Sequence, residues 1–273
     1  MLDKVIIILA SLAVVILLLS ILFSKRNKKR NARQPMPANY TVLLNEHVDF
    51  YTELNETKKQ EFETRMQHFL AHTRITGINT EVEDVDKVLI AASAIIPIFG
   101  FHNWEYMNLN EVLLYPDSFD EKFNQQGDER TTLGVVGDGP YQNIMILSKR
   151  ELRQGFMDRT GKNNTAIHEF VHLVDKTDGA VDGVPEFLMN RQYVLPWLQL
   201  MRHKISEIVN ADSDINPYGA TNEAEFFAVA SEYFFERPDL LQEKHPQLYE
   251  LLTKIFNQQP LKELRGDEST GAE

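Results

Sequence analysis

Residues 168–172 read His-Glu-Phe-Val-His. On an α-helix, positions four apart share a face, so His168 and His172 project side by side. Each imidazole can then reach one zinc ion through Nε2 at about 2.0–2.1 Å. Glu169 is offset by about 100° around such a helix. It lies next to the remaining coordination position, where a carboxylate can act as a general base on water. Asn163, Asn164 and Thr165 supply helix-capping side chains just upstream. Ile167, Phe170, Val171 and Val174 make the rest of the helix apolar, which buries the polar trio. Buried His and Glu are costly without partners, and a metal ion is such a partner. The chain contains no cysteine. That excludes disulfides, thiolate metal sites and cysteine nucleophiles, and leaves His and carboxylates to hold any transition metal.

A catalytic zinc takes three protein ligands and keeps one position open. Asp178 lies six residues after His172, where some HExxH enzymes place their last ligand, but the glycine such a turn needs is replaced by Asp175. Asp175 is better placed to orient a histidine from behind, or to end the helix. Glu225 and Glu232, seven apart on a later helix, share one face. Asn222 with Glu225 three residues on also reads as a capping box. Glu232 reads either as a carboxylate supporting a ligand or as a surface ion-pair partner. The spacing leaves the third ligand open, with a slight preference for Glu225. A second pair, His68 and His72, has helical spacing but no adjacent Glu and lies on a polar helix, so it reads as a solvated face.

The elements that must carry these residues follow from periodicity. Apolar residues at Phe62, Met66, Phe69 and Leu70 predict a helix over Thr57–His72. Val85–Phe99 reads as a buried helix ending near Pro97. Val112–Tyr115 and Asn143–Leu147 read as strands, with Gly134–Pro140 as a glycine-rich connection between strands. Met145–Ser148 would line the cleft and pair with an extended peptide. Asn163–Asp175, Pro185–Asn210 and Asn222–Phe235 complete the helices. No internal repeat is present. The expected fold class is α+β, mostly helical and zincin-like, with a small β-sheet beside the HExxH helix.

The chain has 273 residues and a net charge of −12. Residues 1–33 hold seven Lys or Arg and one acid, so the remainder carries 21 basic and 39 acidic residues, a net of −18. So acidic a body repels phosphates and excludes nucleic acid as a partner. Val5–Phe23 is an uncharged run of 19 residues that would span about 29 Å as a helix, close to a bilayer's hydrocarbon thickness. Six basic residues follow it and one precedes it. Positive flanks stay inside, which predicts a single-pass anchor in the cell inner (plasma) membrane with the C-terminal part cytoplasmic. The expected organisation is a transmembrane helix over 1–24, a basic juxtamembrane segment and linker over 25–40, a zinc metallopeptidase domain over 41–263, and a disordered polar tail over 264–273.

The segments HEFVHLVDKTDGAVDGVP (168–185) and YGATNEAEFFAVASEYFFERP (218–238) resemble the Mlc titration factor A family of bacterial zinc peptidases. LIAASAIIPI (89–98), EVLLYPDSF (111–119) and ILSKRELRQGF (146–156) fit it too, so the resemblance covers roughly Leu89 to Leu261. Tyr218 stands seven residues before Glu225, a spacing similar to that in the catalytic centre of anthrax lethal factor. The resemblance implies His168, His172 and Glu225 as Zn2+ ligands, Glu169 as the base and Tyr218 over the open position. Asp175 and Glu232 are read from their positions as orienting the histidines from behind. The resemblance further implies hydrolysis of peptide bonds in a peptide or protein substrate. Family members also bind a transcriptional repressor, which makes a membrane-tethered module that sequesters a transcriptional regulator the competing expectation. Residues 5–23, the expected contact with the lipid bilayer, distinguish this chain from the soluble members.

Overall fold

The computed structural model describes residues 36–107, 109–117, 134–136 and 143–260. Val5–Phe23, Gly137–Pro140 and the C-terminal tail lie outside these residues. No helix of the described residues is long and apolar enough to cross a membrane.

In chain order the helices are α1 (Ala38–His47), α2 (Asp49–Thr52), α3 (Glu56–His72), α4 (Asp84–Ile95), α5 (Lys149–Met157), α6 (Thr165–Asp175), α7 (Val194–Val209), α8 (Glu223–Glu236), α9 (Pro238–Lys244) and α10 (Pro246–Phe256). The strands are β1 (Arg74–Gly77), β2 (Glu111–Tyr115), β3 (Gly134–Val136) and β4 (Ile144–Ser148). They form one sheet in the order β1-β2-β4-β3. β1, β2 and β4 run parallel, and β3 is antiparallel to β4. The architecture is mostly helical α+β with a small sheet, as expected.

Three sequence expectations need correction. Gly134–Val136 is not part of a turn: Val135 pairs with Ile146, so the segment is itself a strand. Met145–Ser148 cannot pair with a peptide, because β2 and β3 occupy both its edges. The helix expected over Pro185–Asn210 begins only at Val194. Before it, the Asn190 side chain accepts from Gln192 N and starts a separate 3-10 turn at Arg191–Tyr193. Pro196 then falls in the first turn of α7, where its missing N–H costs nothing.

Helices α6 and α8 pack against each other at the centre, with α4, α5 and β4 also against α6. Phe170 on α6 meets Phe69 and Tyr106 at centroid distances of 5.8 and 5.2 Å. Helix α8 is buried from Ala224 through Phe235 except at Glu225. Its aromatic residues pack on Trp197 of α7 and stack on Phe256 of α10, with Phe227 and Phe256 5.7 Å apart. Burying such side chains stabilises the fold by roughly 1.5–3 kcal/mol each.

Two local features fix how these helices meet. Gly183 has φ of +75°, and a Cβ there would lie 2.3 Å from the Glu223 carbonyl oxygen. Its N–H donates to Asp175 Oδ2 at 2.8 Å, and its carbonyl accepts from Trp197 Nε1 at 2.7 Å. Only glycine brings the chain leaving α6 so close to the start of α8. The second feature is Asp214, which accepts from Lys162 (2.6 Å), Lys244 (2.9 Å), His245 (2.8 Å) and Tyr233 (2.9 Å). It ties the loop before α6 to α8 and to the α9–α10 corner. Burial opposes the charge on Asp214, but the Lys162, His245 and Lys244 hydrogen bonds outweigh it and hold the carboxyl well below its usual range.

Gly183→Ala is expected to destabilise the protein by about 2–5 kcal/mol, through strain and overpacking against Glu223. Chemical denaturation measures it, and a loss under about 0.5 kcal/mol would contradict the packing argument. Asp214→Asn is expected to cost about 1–3 kcal/mol at neutral pH. The folded carboxyl has the lower pKa, so its contribution is complete above an unfolded value of about 3.9 and fades as pH falls through the folded one. The gap between wild type and variant should therefore stay constant above about pH 5 and narrow in acid.

Candidate metal centre

The HExxH segment forms the middle of α6. Asn164 caps the helix, its Oδ1 accepting from Ile167 N at 3.1 Å. The His168 and His172 rings stand 4.7 Å apart and nearly perpendicular, at 82°. On α8, the Asn222 side chain accepts from Glu225 N at 2.9 Å, which is half of the capping box expected there. The Glu225 carboxylate does not return to the cap but faces the histidines.

Three donor atoms converge. His168 Nε2 lies 2.9 Å from Glu225 Oε2, His172 Nε2 lies 3.4 Å from the same oxygen, and the two Nε2 atoms are 3.1 Å apart. Among the described residues this is the one group of three or more potential ligand side chains whose donor atoms lie within 4.8 Å of one another. A tetrahedron with vertices 2.0–2.1 Å from a zinc ion has edges of about 3.3 Å, so the spacing fits the ion.

The charge pattern fits as well. His168 Nδ1 lies 2.7 Å from Glu232 Oε1, so both ring nitrogens face carboxylates. Burial works against a charged imidazole, yet Glu225 and Glu232 outweigh it and raise His168 to about 10. Burial likewise opposes the Glu225 charge, but the two histidines bring its carboxyl down to about 2. Both shifts favour positive charge where the imidazoles meet the carboxylates, and a metal ion supplies positive charge.

Glu169 is 6 % exposed. Burial raises its carboxyl pKa, opposed in part by His168 and His172. Tyr218 sits in a 3-10 turn (Pro217–Ala220) capped by Asn216, its ring centroid 6.0 Å from that of His168. It is 54 % exposed, and burial followed by the Glu225 and Glu169 charges raises its hydroxyl pKa. Glu232 is fixed at both oxygens, the second accepting from Asn164 N at 2.5 Å.

The structure separates the other ligand candidates from the cluster. Asp178 caps its own turn, accepting from Ala180 N at 2.9 Å. Asp175 holds Gly183 and makes no hydrogen bond to His172; its Oδ1 and His172 Nδ1 are both buried without a hydrogen-bond partner. Burial lifts the Asp175 carboxyl to about 6. His68 and His72 stack at 4.1 Å, with His68 3.5 Å from Glu105 and His72 Nδ1 on the His68 carbonyl at 2.7 Å. Sequence spacing alone does not single out Glu236 of α8, whose Oε1 accepts from Asn164 Nδ2 at 2.9 Å.

The description "glucose-regulated metallo-peptidase M90" belongs to the family model that matches residues 23–257. An uncharacterised protein of Synechocystis sp. is 30% identical over 245 residues, covering 86% of this chain and 89% of its own. Mlc titration factor A of Pectobacterium atrosepticum is 27% identical over 227 residues, 78% of this chain and 83% of that protein. The Yersinia pestis protein of the same name is 26% identical over 263 residues, covering 90% and 94% of the two chains. A match of this extent, over a fold whose two central helices bring together a His, His, Glu donor set, makes this chain a member of the M90 metallopeptidase family.

Proposed function

We propose that this chain is a zinc-dependent peptidase that hydrolyses peptide bonds with Glu169 as general base. The observation that carries this reading is the convergence of His168 Nε2, His172 Nε2 and Glu225 Oε2 beside a buried Glu169. His168, His172 and Glu225 would hold the ion. Bound there, zinc supplies Lewis acidity, which polarises a carbonyl and eases the deprotonation of water.

The protein's own groups account for the remaining work. The Glu169 carboxylate takes a proton from the attacking water and returns it to the leaving amine. Its raised pKa brings it closer to the working pH, where one group can both accept and release a proton. Tyr218 keeps its hydroxyl proton, for its pKa is raised as well, and donates it in a hydrogen bond to the developing oxyanion. Glu232 holds His168 by Nδ1 and so directs Nε2 toward Glu225. An extended substrate would pair with β3, the terminal antiparallel strand, rather than with the interior β4.

We extend the reading to location. Residues 5–23 would anchor the chain in the plasma membrane, with the peptidase domain in the cytoplasm. Membrane fractionation, with protease protection of the domain, tests both parts. The name that two of these relatives share, Mlc titration factor A, favours a second reading, in which the chain binds and retains a regulator. A pulldown in which Glu169→Gln still retains a partner, combined with no hydrolysis by wild type, would select it.

Glu169→Gln is expected to keep stoichiometric zinc while peptide hydrolysis falls by about 10²–10⁴-fold. Metal analysis and a fluorogenic peptide assay measure the two quantities, and wild-type turnover in the variant would remove Glu169 from the mechanism. Tyr218→Phe is expected to lower kcat by about 10²–10³-fold with little change in KM.

A further inference from the structure

Asn164 occupies an N-cap, a position that Asp, Ser and Asn fill almost equally well. Capping alone therefore does not explain the contacts that this residue makes. It is fully buried and, besides accepting the helical bond from His168 N on its carbonyl, takes part in three more. Its Oδ1 accepts from Ile167 N at 3.1 Å, its Nδ2 donates to Glu236 Oε1 at 2.9 Å, and its backbone N–H donates to Glu232 Oε2 at 2.5 Å. Asn accepts on the helix side through Oδ1 and donates on the carboxylate side through Nδ2, whereas Asp has no donor and a Ser hydroxyl offers a single atom on a shorter side chain.

The two acidic side chains it serves, Glu232 and Glu236, stand one turn apart on α8. Burial, reinforced by the Glu232 charge and by the more distant Asp49 and Asp158, raises Glu236 to about 8, while the Asn164 hydrogen bond pulls the other way. Asn164 thus places its Nδ2–H on Glu236 and its backbone N–H on Glu232. Gly155 of α5 closes the far side: a Cβ there would lie 3.0 Å from Asn164 Cγ and 3.2 Å from Nδ2. The amide is held between α5 and α8.

We propose that Asn164 is a positioning residue of the metal centre, bridging Glu236 and Glu232 so that Glu232 holds the His168 ring with Nε2 toward the ion. The proposal rests on the reading that His168, His172 and Glu225 bind zinc. The path runs through contacts already given, from Asn164 N–H to Glu232 and from Glu232 to His168 Nδ1. Loss of a partner that orients a metal-bound histidine typically weakens metal binding by 10–100-fold.

The test measures zinc affinity of the full-length chain by competition with a chromophoric chelator, together with thermal unfolding of the metal-free protein. Asn164→Asp keeps the cap oxygen but removes the Nδ2 donor to Glu236. The expected result is zinc binding weaker by about 10–100-fold. Adding Glu236→Gln to that variant restores a donor and an acceptor with their direction reversed, and is expected to recover most of the loss. Asn164→Ser, a cap without the reach to Glu236, serves in its place if the Asp variant does not fold, and should show the same weakening. Wild-type affinity in the Asp or Ser variant would mean that Asn164 is a cap and nothing more. Failure of the double variant to bind better than Asn164→Asp would also overturn the bridge. Absence of zinc binding in wild type would sink the metal reading itself, an outcome distinct from wild-type binding that the variants leave unchanged.

Discussion

Two imidazoles and three carboxylates share the space between α6 and α8, and that space is largely closed to water. Such a cluster is tolerable only if its charges meet opposite charges or donors. The molecule meets much of that demand: Glu225 faces both histidines and Glu232 takes His168 and a backbone N–H, while His172 Nδ1 stays buried without a hydrogen-bond partner. The arrangement works only if α6 and α8 hold one register, and much of the remaining structure maintains it. Aromatic packing on both helices supplies the bulk attraction. Gly183 and Asp214 fix the approach of the connecting chain.

The HExxH motif was legible because it lies within one helical turn, where spacing alone dictates geometry. His168, Glu169 and His172 needed only the periodicity of an α-helix, and the flanking apolar residues announced their burial. Glu225 was harder. Its distance in sequence from His172 is unrelated to its distance in space, and its position three residues after Asn222 matched an ordinary cap. The structure satisfies the cap through the Glu225 backbone N–H alone, which leaves the carboxylate available to the histidines.

The sheet was less legible than the helices. β1 is four residues long with no clean alternation, and β3 is three residues in a glycine-rich stretch. Strands so short gain their stability from neighbours, not from local preference. The same holds for α9 and α10, short helices whose signal was a proline at each first position. Asp214 could not have been identified at all from spacing, since its four partners come from three separate stretches of chain.

The nearly complete burial of α8 has a consequence for how such a protein can diversify. A helix packed on almost all sides can neither slide nor tilt without disturbing the aromatic core around it, so the Glu225 contribution to the cluster is effectively immovable. The segment from Lys176 to Asn190 is different. It is pinned at Gly183 but leaves Val181, Glu186 and Phe187 exposed. Changes at those three positions leave the helix register and the converging donors undisturbed, so this stretch can vary in sequence while α6 and α8 keep their arrangement.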